Sequence, residues 1–486
     1  MAGNKVIEES VLFSPVRELA EKIRTRALSP VELTQAYLDR SQRFSRLNAY
    51  ATLTPDLALK QARHAEQEIH EGKYRGPLHG IPYAAKDLLA VKGYPTTWGA
   101  APFKDRQFDF NAHVILRLEE AGAVLLGKAA MIELAGGFGY RFGSASVSGP
   151  AHNPWKEDCW TCGSSSGSGA IMAAALAAFT IGTETWGSIV CPSGFNGVSG
   201  LRPTYGRVGR SGAMALSYSM DKIGPICRTA DDCGLVLVAI AGHDPGDLGS
   251  LPEPQAAFRY ADVPKMDLLR KGRRLRIGWL KDPWGPGKSA KARKSYPEVD
   301  PAANAALDVL RNAGAVVTEI ALPDGPWEAA GGVVISAEAA AAFEALLRSG
   351  EALKLTDPIA QVGGYAGQQI SGPDYLRALR VRAIVQRKVA DVFQHVDVLA
   401  APSMATSATP LSMALDSPSF DFDDPLGGIG NLCGLPALSV PCGFTHENLP
   451  VGIQFVGNVL TEHLLVTLGN TLQMQTDWHE RHPRLA

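Results

Sequence analysis

The chain has 486 residues, enough for about three domains of ordinary size or one large α/β domain with a sizeable core. Apolar residues make up 45% of it and charged residues 20%, a composition that excludes disordered, fibrous and membrane-spanning classes. Its 47 basic and 49 acidic residues leave a formal net charge of −2, so no overall field attracts nucleic acid or an anionic membrane.

The amino-terminal sequence does not have the form of a secretory signal. Residues 1–10 read MAGNKVIEES, with acidic residues and no apolar core. The longest strongly apolar stretch, 170–181, has 12 residues, fewer than the roughly 20 that span a bilayer. It is interpreted as a buried helix. We therefore expect a cytoplasmic protein with no membrane partner.

Seven cysteines are an odd and small number for this length, which is typical of reduced thiols rather than of a disulfide framework. Cys159 and Cys162 have the spacing of a redox or zinc pair. No second pair completes a zinc site, however, and no thioredoxin-like βαβ unit surrounds them. The sequence thus predicts reduced thiols.

Two helices are predicted near the amino terminus. The sequence SPVE at 29–32 combines a capping serine, an early proline and a glutamate three residues after the cap. It opens an amphipathic helix that runs to about Phe44. Thr54 and Pro55 open a second helix, which ends near Gly72.

Short apolar strands then alternate with helices. Residues 81–85 predict a buried strand that delivers Lys86 and Asp87 at its end. A helix over 111–121 and a strand over 123–126 continue the alternation, which is typical of α/β folds.

A basic segment over 270–294 holds ten basic residues and one acid, Asp282. A nucleic-acid patch is one interpretation. A solvated loop around a strand over 275–280 is favoured, because aromatic stacking residues are not interleaved with the charges. We expect no nucleic-acid partner.

Two glycine-rich turns are the candidates for chemistry. The first, at 163–167, matches the GxSxG elbow of α/β-hydrolases, which would make Ser165 the nucleophile. That elbow follows an apolar strand, whereas 157–162 is polar, so the match is weak. The second turn, at 182–192, reads GTETWGSIVCP.

With this second turn, the chain resembles the amidase signature family of serine hydrolases, from about Ser14 to Trp478. The resemblance rests on ordered motifs, which are GPLHGIP at 76–82, AKD at 85–87, GSSSGSG at 163–169, GLRPT at 200–204 and GLPA at 434–437. It implies an α/β fold with a large mixed β-sheet surrounded by helices in a single domain. That domain is expected over 14–480, after an amino-terminal extension over 1–13.

In that family the catalytic triad consists of a lysine, a serine with a cis peptide bond and a nucleophilic serine. The matching positions here are Lys86, Ser164 and Ser188, and the interval of 24 residues between the serines is the family's. Ser165 is then a neighbouring loop residue. This chemistry implies no metal and no organic cofactor.

Three residues of the nucleophile loop depart from the commonest family pattern. Glu184 replaces an aspartate, Trp186 a glycine and Val190 an arginine. The aspartate and the arginine normally brace the loop, so this chain must support it differently.

The resemblance assigns a role to each remaining site residue. Burial should lower the pKa of Lys86 so that it acts as the base, with Ser164 relaying the proton from Ser188. The backbone N–H groups expected to stabilise the oxyanion belong to Thr185, Trp186, Gly187 and Ser188. Residues that line the substrate pocket by analogy are Met131, Gly136 and Gly137, although ordinary packing after a strand is an equal alternative for them.

The substrates are expected to be small neutral molecules, namely aryl or alkyl amides, carbamates such as urethanes, and activated esters. The enzyme would then be similar to an aryl acylamidase or urethanase. A site poor in cations does not hold a free amino-acid carboxylate well. Trp186 either offers substrate an aromatic surface or fills the core.

One alternative is the glutaminase subunit of a tRNA-dependent amidotransferase, a family member that works inside a complex. Such subunits carry a glutamine-recognition segment that 364–379 lacks. A catalytically dead binding protein is disfavoured because all three triad residues are present. As partners we expect only a small-molecule substrate, with the chain a monomer or homodimer.

Overall fold

The computed structural model describes residues 7–260, 269–270, 273–281, 283, 297–416 and 424–485. They form one mixed α/β domain, which confirms the predicted fold class. Most of the basic segment over 270–294 lies outside the described residues. The boundary between an extension over 1–13 and the domain stays a prediction. None of the described helices has the length and apolarity to cross a membrane.

Fifteen strands are described. In chain order they are β1 Tyr50–Leu53, β2 Pro82–Lys86, β3 Val124–Ala129, β4 His152–Asn153, β5 Lys156–Trp160, β6 Phe179–Glu184, β7 Ser199–Arg202, β8 Lys222–Cys227, β9 Leu269–Arg270, β10 Arg273–Arg274, β11 Arg276–Leu280, β12 Val316–Ile320, β13 Val398–Pro402, β14 Ala437–Phe444 and β15 Pro450–Gly457.

Fifteen α-helices are described with them. They are α1 Glu9–Leu12, α2 Val16–Arg24, α3 Pro30–Arg43, α4 Pro55–His70, α5 His113–Glu120, α6 Ser166–Ala173, α7 Val190–Asn196, α8 Ala230–Ile240, α9 Val299–Asn312, α10 Trp327–Ala342, α11 Glu344–Arg348, α12 Pro358–Gly367, α13 Gly372–His395, α14 Gly427–Leu432 and α15 Glu462–Gln473.

Eleven strands form one sheet, in the order β1-β3-β2-β6-β8-β7-β14-β15-β13-β11-β12. β2 is parallel to β3 and β6, and β11 is parallel to β12 and β13. The other neighbours are antiparallel. Every residue of β2 and β6 is buried, because these central strands are covered on both faces. Because β2 and β6 are parallel neighbours, their carboxyl ends meet at the same edge of the sheet.

The predicted amino-terminal elements are confirmed. Helix α3 begins after Ser29, whose hydroxyl accepts the backbone N–H groups of Val31 and Glu32 at 3.1 and 3.2 Å. Helices α4 and α5 and strands β2 and β3 lie where local patterns place them, within about two residues at most ends.

The single helix predicted over 170–181 is wrong. Helix α6 ends at Ala173, Ala175 has a left-handed φ of 51°, and β6 begins at Phe179. The chain turns there so that β6 can insert between β2 and β8. An apolar run does not distinguish a buried helix from a buried strand, because both are covered on all sides.

The prediction of reduced thiols is wrong for two of the cysteines. Cys162 and Cys191 form a disulfide, with their Cα atoms 5.8 Å apart. The other five are free and buried. The pair is 29 residues apart in sequence, and only the fold brings the two segments together.

Candidate active site

Lys86, Ser164 and Ser188 lie in one chain of hydrogen bonds. Lys86 Nζ donates to Ser164 Oγ at 2.7 Å, and Ser164 Oγ donates to Ser188 Oγ at 3.0 Å. Their exposed fractions are 0%, 2% and 7%, so protein covers almost all of this chain. The peptide bond between Gly163 and Ser164 is cis, as the resemblance implies. The structure thus brings together the three side chains predicted for the triad.

The ends of β2 and β6 place two of these groups. Lys86 is the last residue of β2, and Ser188 follows β6 in the turn before α7. Gly187 allows this turn because its φ is +77°, a conformation that favours glycine. Ser164 comes from the loop before α6, which packs on α7.

The pKa of Lys86 is lowered to about 7, mainly because burial disfavours its charged form, while the charges of Asp221 and Glu184 oppose this. Thr183 orients the amine, since its hydroxyl and carbonyl oxygens accept from Nζ at 2.9 and 3.3 Å. A large fraction of Lys86 is therefore neutral near pH 7 and has a lone pair available for a proton.

Asp87 anchors the strand end that carries Lys86. One carboxylate oxygen accepts from Lys128 Nζ on the neighbouring strand β3 at 2.8 Å. The other accepts the N–H and hydroxyl of Thr97 at 3.0 and 2.5 Å. The sequence predicted the position of Asp87 but not these partners.

Glu184 supports the nucleophile loop. Its Oε2 accepts the N–H groups of Ile189 and Val190, the two residues after Ser188, at 2.8 and 3.0 Å. Its Oε1 accepts from the guanidinium of Arg202 and from Asn431 Nδ2. The cation absent at Val190 is thus supplied by β7, which answers how the loop is braced.

The pKa of Glu184 is lowered to about 2. Burial alone would raise it, but the charge of Arg202 and the hydrogen bonds from Val190, Arg202 and Asn431 outweigh burial. Glu184 is therefore ionised at all ordinary pH values, and its charge is part of the fold.

The Trp186 indole packs between two helices. A methyl carbon added at Gly331 of α10 would lie 2.9 Å from its Cζ3. Methyl carbons at Gly427 and Gly428 of α14 would lie 2.8 Å from Nε1 and Cζ2. The helices approach closely here because glycine has no side chain, which favours the packing interpretation of Trp186.

The backbone N–H groups of Trp186, Gly187 and Ser188 have no acceptor among the described residues. Buried backbone donors are normally paired, so three consecutive unpaired ones suit a negatively charged ligand atom. They belong to the loop predicted to stabilise an oxyanion.

A cavity of about 380 Å³ adjoins the triad at Thr183, whose hydroxyl contacts Lys86, rather than at Ser188. Most of its wall is apolar, with Leu88, Met214 and Leu216 among the lining side chains. Thr185 also lines it.

The predicted pocket residues Met131, Gly136 and Gly137 do not line this cavity, but their neighbour Ala135 does. Met131 is 1% exposed. A methyl carbon at Gly137 would lie 2.1 Å from Leu216 Cδ1 in the cavity wall. The structure therefore places Gly137 behind the wall, and a substrate-binding role for the three stays a prediction.

Asp424 is a site residue that sequence reasoning missed. Its Oδ1 accepts from Gln454 Nε2 at 2.6 Å and from the Leu426 N–H at 3.2 Å. Its Oδ2 is buried without a partner among the described residues, and a methyl carbon at Gly187 would lie 3.6 Å from it. Burial and the charge of Glu184 raise the pKa of Asp424 to about 7. No local motif marks this residue.

Within the described part of the chain, no group of three or more histidine, cysteine, aspartate or glutamate side chains is arranged to hold a metal ion.

Comparison with known proteins follows the whole chain. A family model described as Amidase matches residues 32–466. A glutamyl-tRNA(Gln) amidotransferase subunit from Chloroflexus aurantiacus is 36% identical over 489 residues, covering 94% of this chain and 96% of the relative. The protein of the same name from Methylococcus capsulatus is 36% identical over 499 residues, covering 96% and 98%.

Among solved structures, native peptide amidase from Stenotrophomonas maltophilia superposes with a TM-score of 0.83 at 31% identity. The superposition covers 97% of this chain and 98% of that one. The large sheet and the helices around it are therefore shared along essentially the full length.

Proposed function

We propose that this chain, which belongs to the amidase family of amide-bond hydrolases, works through an acyl-enzyme formed on Ser188. The observation that carries this proposal is the buried sequence of hydrogen bonds from Lys86 Nζ through Ser164 Oγ to Ser188 Oγ. It gives the weakly nucleophilic serine a base within reach.

In the first step, neutral Lys86 takes the proton of Ser164, which takes the proton of Ser188. Ser188 Oγ attacks the carbonyl carbon, and the electron pair of the C=O bond moves to its oxygen. The N–H groups of Thr185, Trp186, Gly187 and Ser188 stabilise that oxyanion. As the oxyanion collapses and the C–N bond breaks, Ser164 returns a proton to the leaving nitrogen and Lys86 reprotonates Ser164.

Water then attacks the acyl-enzyme by the same route. It passes one proton through Ser164 to Lys86, and Ser188 leaves with a proton as the carboxylic acid is released. Each group returns to its starting protonation state.

The first candidate for the substrate is a small neutral amide, carbamate or activated ester with an apolar acyl or aryl part. The largely apolar wall of the adjoining cavity supports it. Arg210, a cation in that wall, already pairs with Asp247 at 2.8 Å and is not free for a substrate carboxylate.

The second candidate is glutamine, with the chain acting as the glutaminase component of a tRNA-dependent amidotransferase. The names of the curated relatives favour this alternative over the first candidate. The unpaired Oδ2 of Asp424 beside Gly187 also suits a substrate ammonium group. In this case the chain would work in a complex with other proteins and tRNA, whereas the first candidate needs only a monomer or homodimer in the cytoplasm.

A substrate panel separates the candidates. Release of nitroaniline from anilides and of phenols from aryl carbamates is compared with release of ammonia from glutamine by the purified chain. Turnover of the aryl substrates with poor glutaminase activity supports the first candidate. Efficient glutaminase activity without aryl turnover supports the second.

Covalent labelling tests the nucleophile separately. A fluorophosphonate should modify Ser188 in the wild type and leave Ser188→Ala unmodified, with Ser165→Ala as the matched control that is still labelled. Labelling at Ser165 would contradict the assignment.

A further inference from the structure

The Asp221 carboxylate connects two parts of the site that the triad does not include. One oxygen, Oδ1, accepts from the Thr185 hydroxyl at 2.5 Å. The other, Oδ2, accepts the N–H groups of Leu216 and Ser217 at 2.8 and 3.0 Å. Thr185 belongs to the nucleophile loop, and Leu216 lines the adjoining cavity.

We propose that Asp221 is a positioning residue for the reaction, which holds the oxyanion loop through the Thr185 hydroxyl and the cavity wall through the 216–217 turn. This inference rests on the proposed function of Ser188. It gives the Thr185 side chain a role in addition to that of its backbone N–H.

The donors around Asp221 indicate its charge state. Three donors and no acceptor face its two oxygens among the described residues, which is the arrangement that an ionised carboxylate requires. Burial raises the pKa of Asp221, and these hydrogen bonds and the charge of Arg210 oppose the shift. Its neighbour Lys222 donates to the Met220 carbonyl, and burial lowers the pKa of Lys222.

The charge of Asp221 also acts on the base. It is the larger of the two negative influences on Lys86, the other being Glu184, whose charge Arg202 already compensates. A nearby negative charge favours the protonated amine, so Asp221 keeps the Lys86 pKa from falling further. Holding the loop and adjusting the base are thus separable effects of one carboxylate.

Two substitutions separate them. Thr185→Val removes the hydroxyl but leaves the charge of Asp221, so we expect kcat to fall roughly ten- to a hundredfold with the pH midpoint of kcat/KM unchanged. Thr185→Ser keeps a hydroxyl and should recover most of the loss. Asp221→Asn removes the charge and should move the midpoint to lower pH by roughly half a unit or more.

Thr25→Val is the control, because its hydroxyl bonds only to carbonyls at the end of its own helix, and it should leave kcat and the midpoint unchanged. A loss of kcat in Asp221→Asn with no shift of the midpoint, or equal kcat in Thr185→Val and the wild type, would overturn the proposal. If Asp221→Asn does not fold, the Thr185 pair decides. Fluorophosphonate labelling at a residue other than Ser188 would instead refute the proposed function.

Discussion

Arg202 and Glu184 form a fully buried ion pair next to the loop that carries Ser188. The two residues lie on β7 and β6, which are separated in the sheet by β8. Glu184 passes the constraint on to the loop through the N–H groups of Ile189 and Val190. A glutamate, one methylene longer than the usual aspartate, thus bonds to an arginine on a different strand.

Arg202→Met should destabilise the protein by about 3–5 kcal/mol, because it leaves the Glu184 carboxylate buried without its cation. The measurement is the free energy of unfolding in denaturant. Arg141→Met is the control, since its ion pair with Asp416 is about half exposed and should be worth less than about 1 kcal/mol. Equal losses in the two variants would contradict a structural role for the buried pair.

The same pair predicts a pH dependence of stability. The folded pKa of Glu184 is about 2, below the ordinary value of about 4.3. Its contribution to stability is therefore complete above the ordinary value and lost as the pH falls toward 2. In Arg202→Met the folded pKa should rise, so acid unfolding followed by circular dichroism should begin at a higher pH.

Activity should rise with pH through a midpoint near 7 and then level off, because Lys86 accepts a proton only when it is neutral and its pKa is about 7. The measurement is kcat/KM between pH 5 and 10. In Lys86→Ala, added small primary amines should restore part of the activity, with a midpoint that follows the pKa of the added amine. A midpoint that persists unchanged without Lys86 would exclude this assignment.

Two adjacent glycines of α10 provide a test of Trp186 packing. Gly331→Ala would place its methyl carbon 2.9 Å from the indole, so we expect a loss of about 1–3 kcal/mol. Gly332→Ala meets no atom within 4 Å and should be neutral or stabilising by up to about 1 kcal/mol, as alanine favours a helix. Thermal unfolding of both variants decides; equal stability would mean that the indole is free to move away.

Replacing both Cys162 and Cys191 by serine should lower the free energy of unfolding by about 3–4 kcal/mol, because the disulfide closes a loop of 29 residues in the unfolded chain. A dithiol reductant should destabilise the wild type and Cys159→Ser, but not the double variant. Alkylation of seven thiols in denatured, unreduced protein would contradict the disulfide.

Several features of this protein were determined by adjacent residues and could be predicted from the sequence. The cap at Ser29 and the proline at Pro55 begin helices through contacts within one turn. The positions of Lys86, Ser164 and Ser188 follow from ordered local motifs. Each of these patterns is contained in a few consecutive residues, so no knowledge of the sheet order is needed.

The support of the site was decided only by the tertiary structure. Asp221 reaches Thr185 across 36 residues of sequence, and Asn431 reaches Glu184 across 247. The apolar run at 170–181 became a helix and a strand because β6 has to lie between β2 and β8. Which distant charges, thiols and ring faces meet depends on strand order and burial, and side chains so far apart in sequence leave no local pattern of their own.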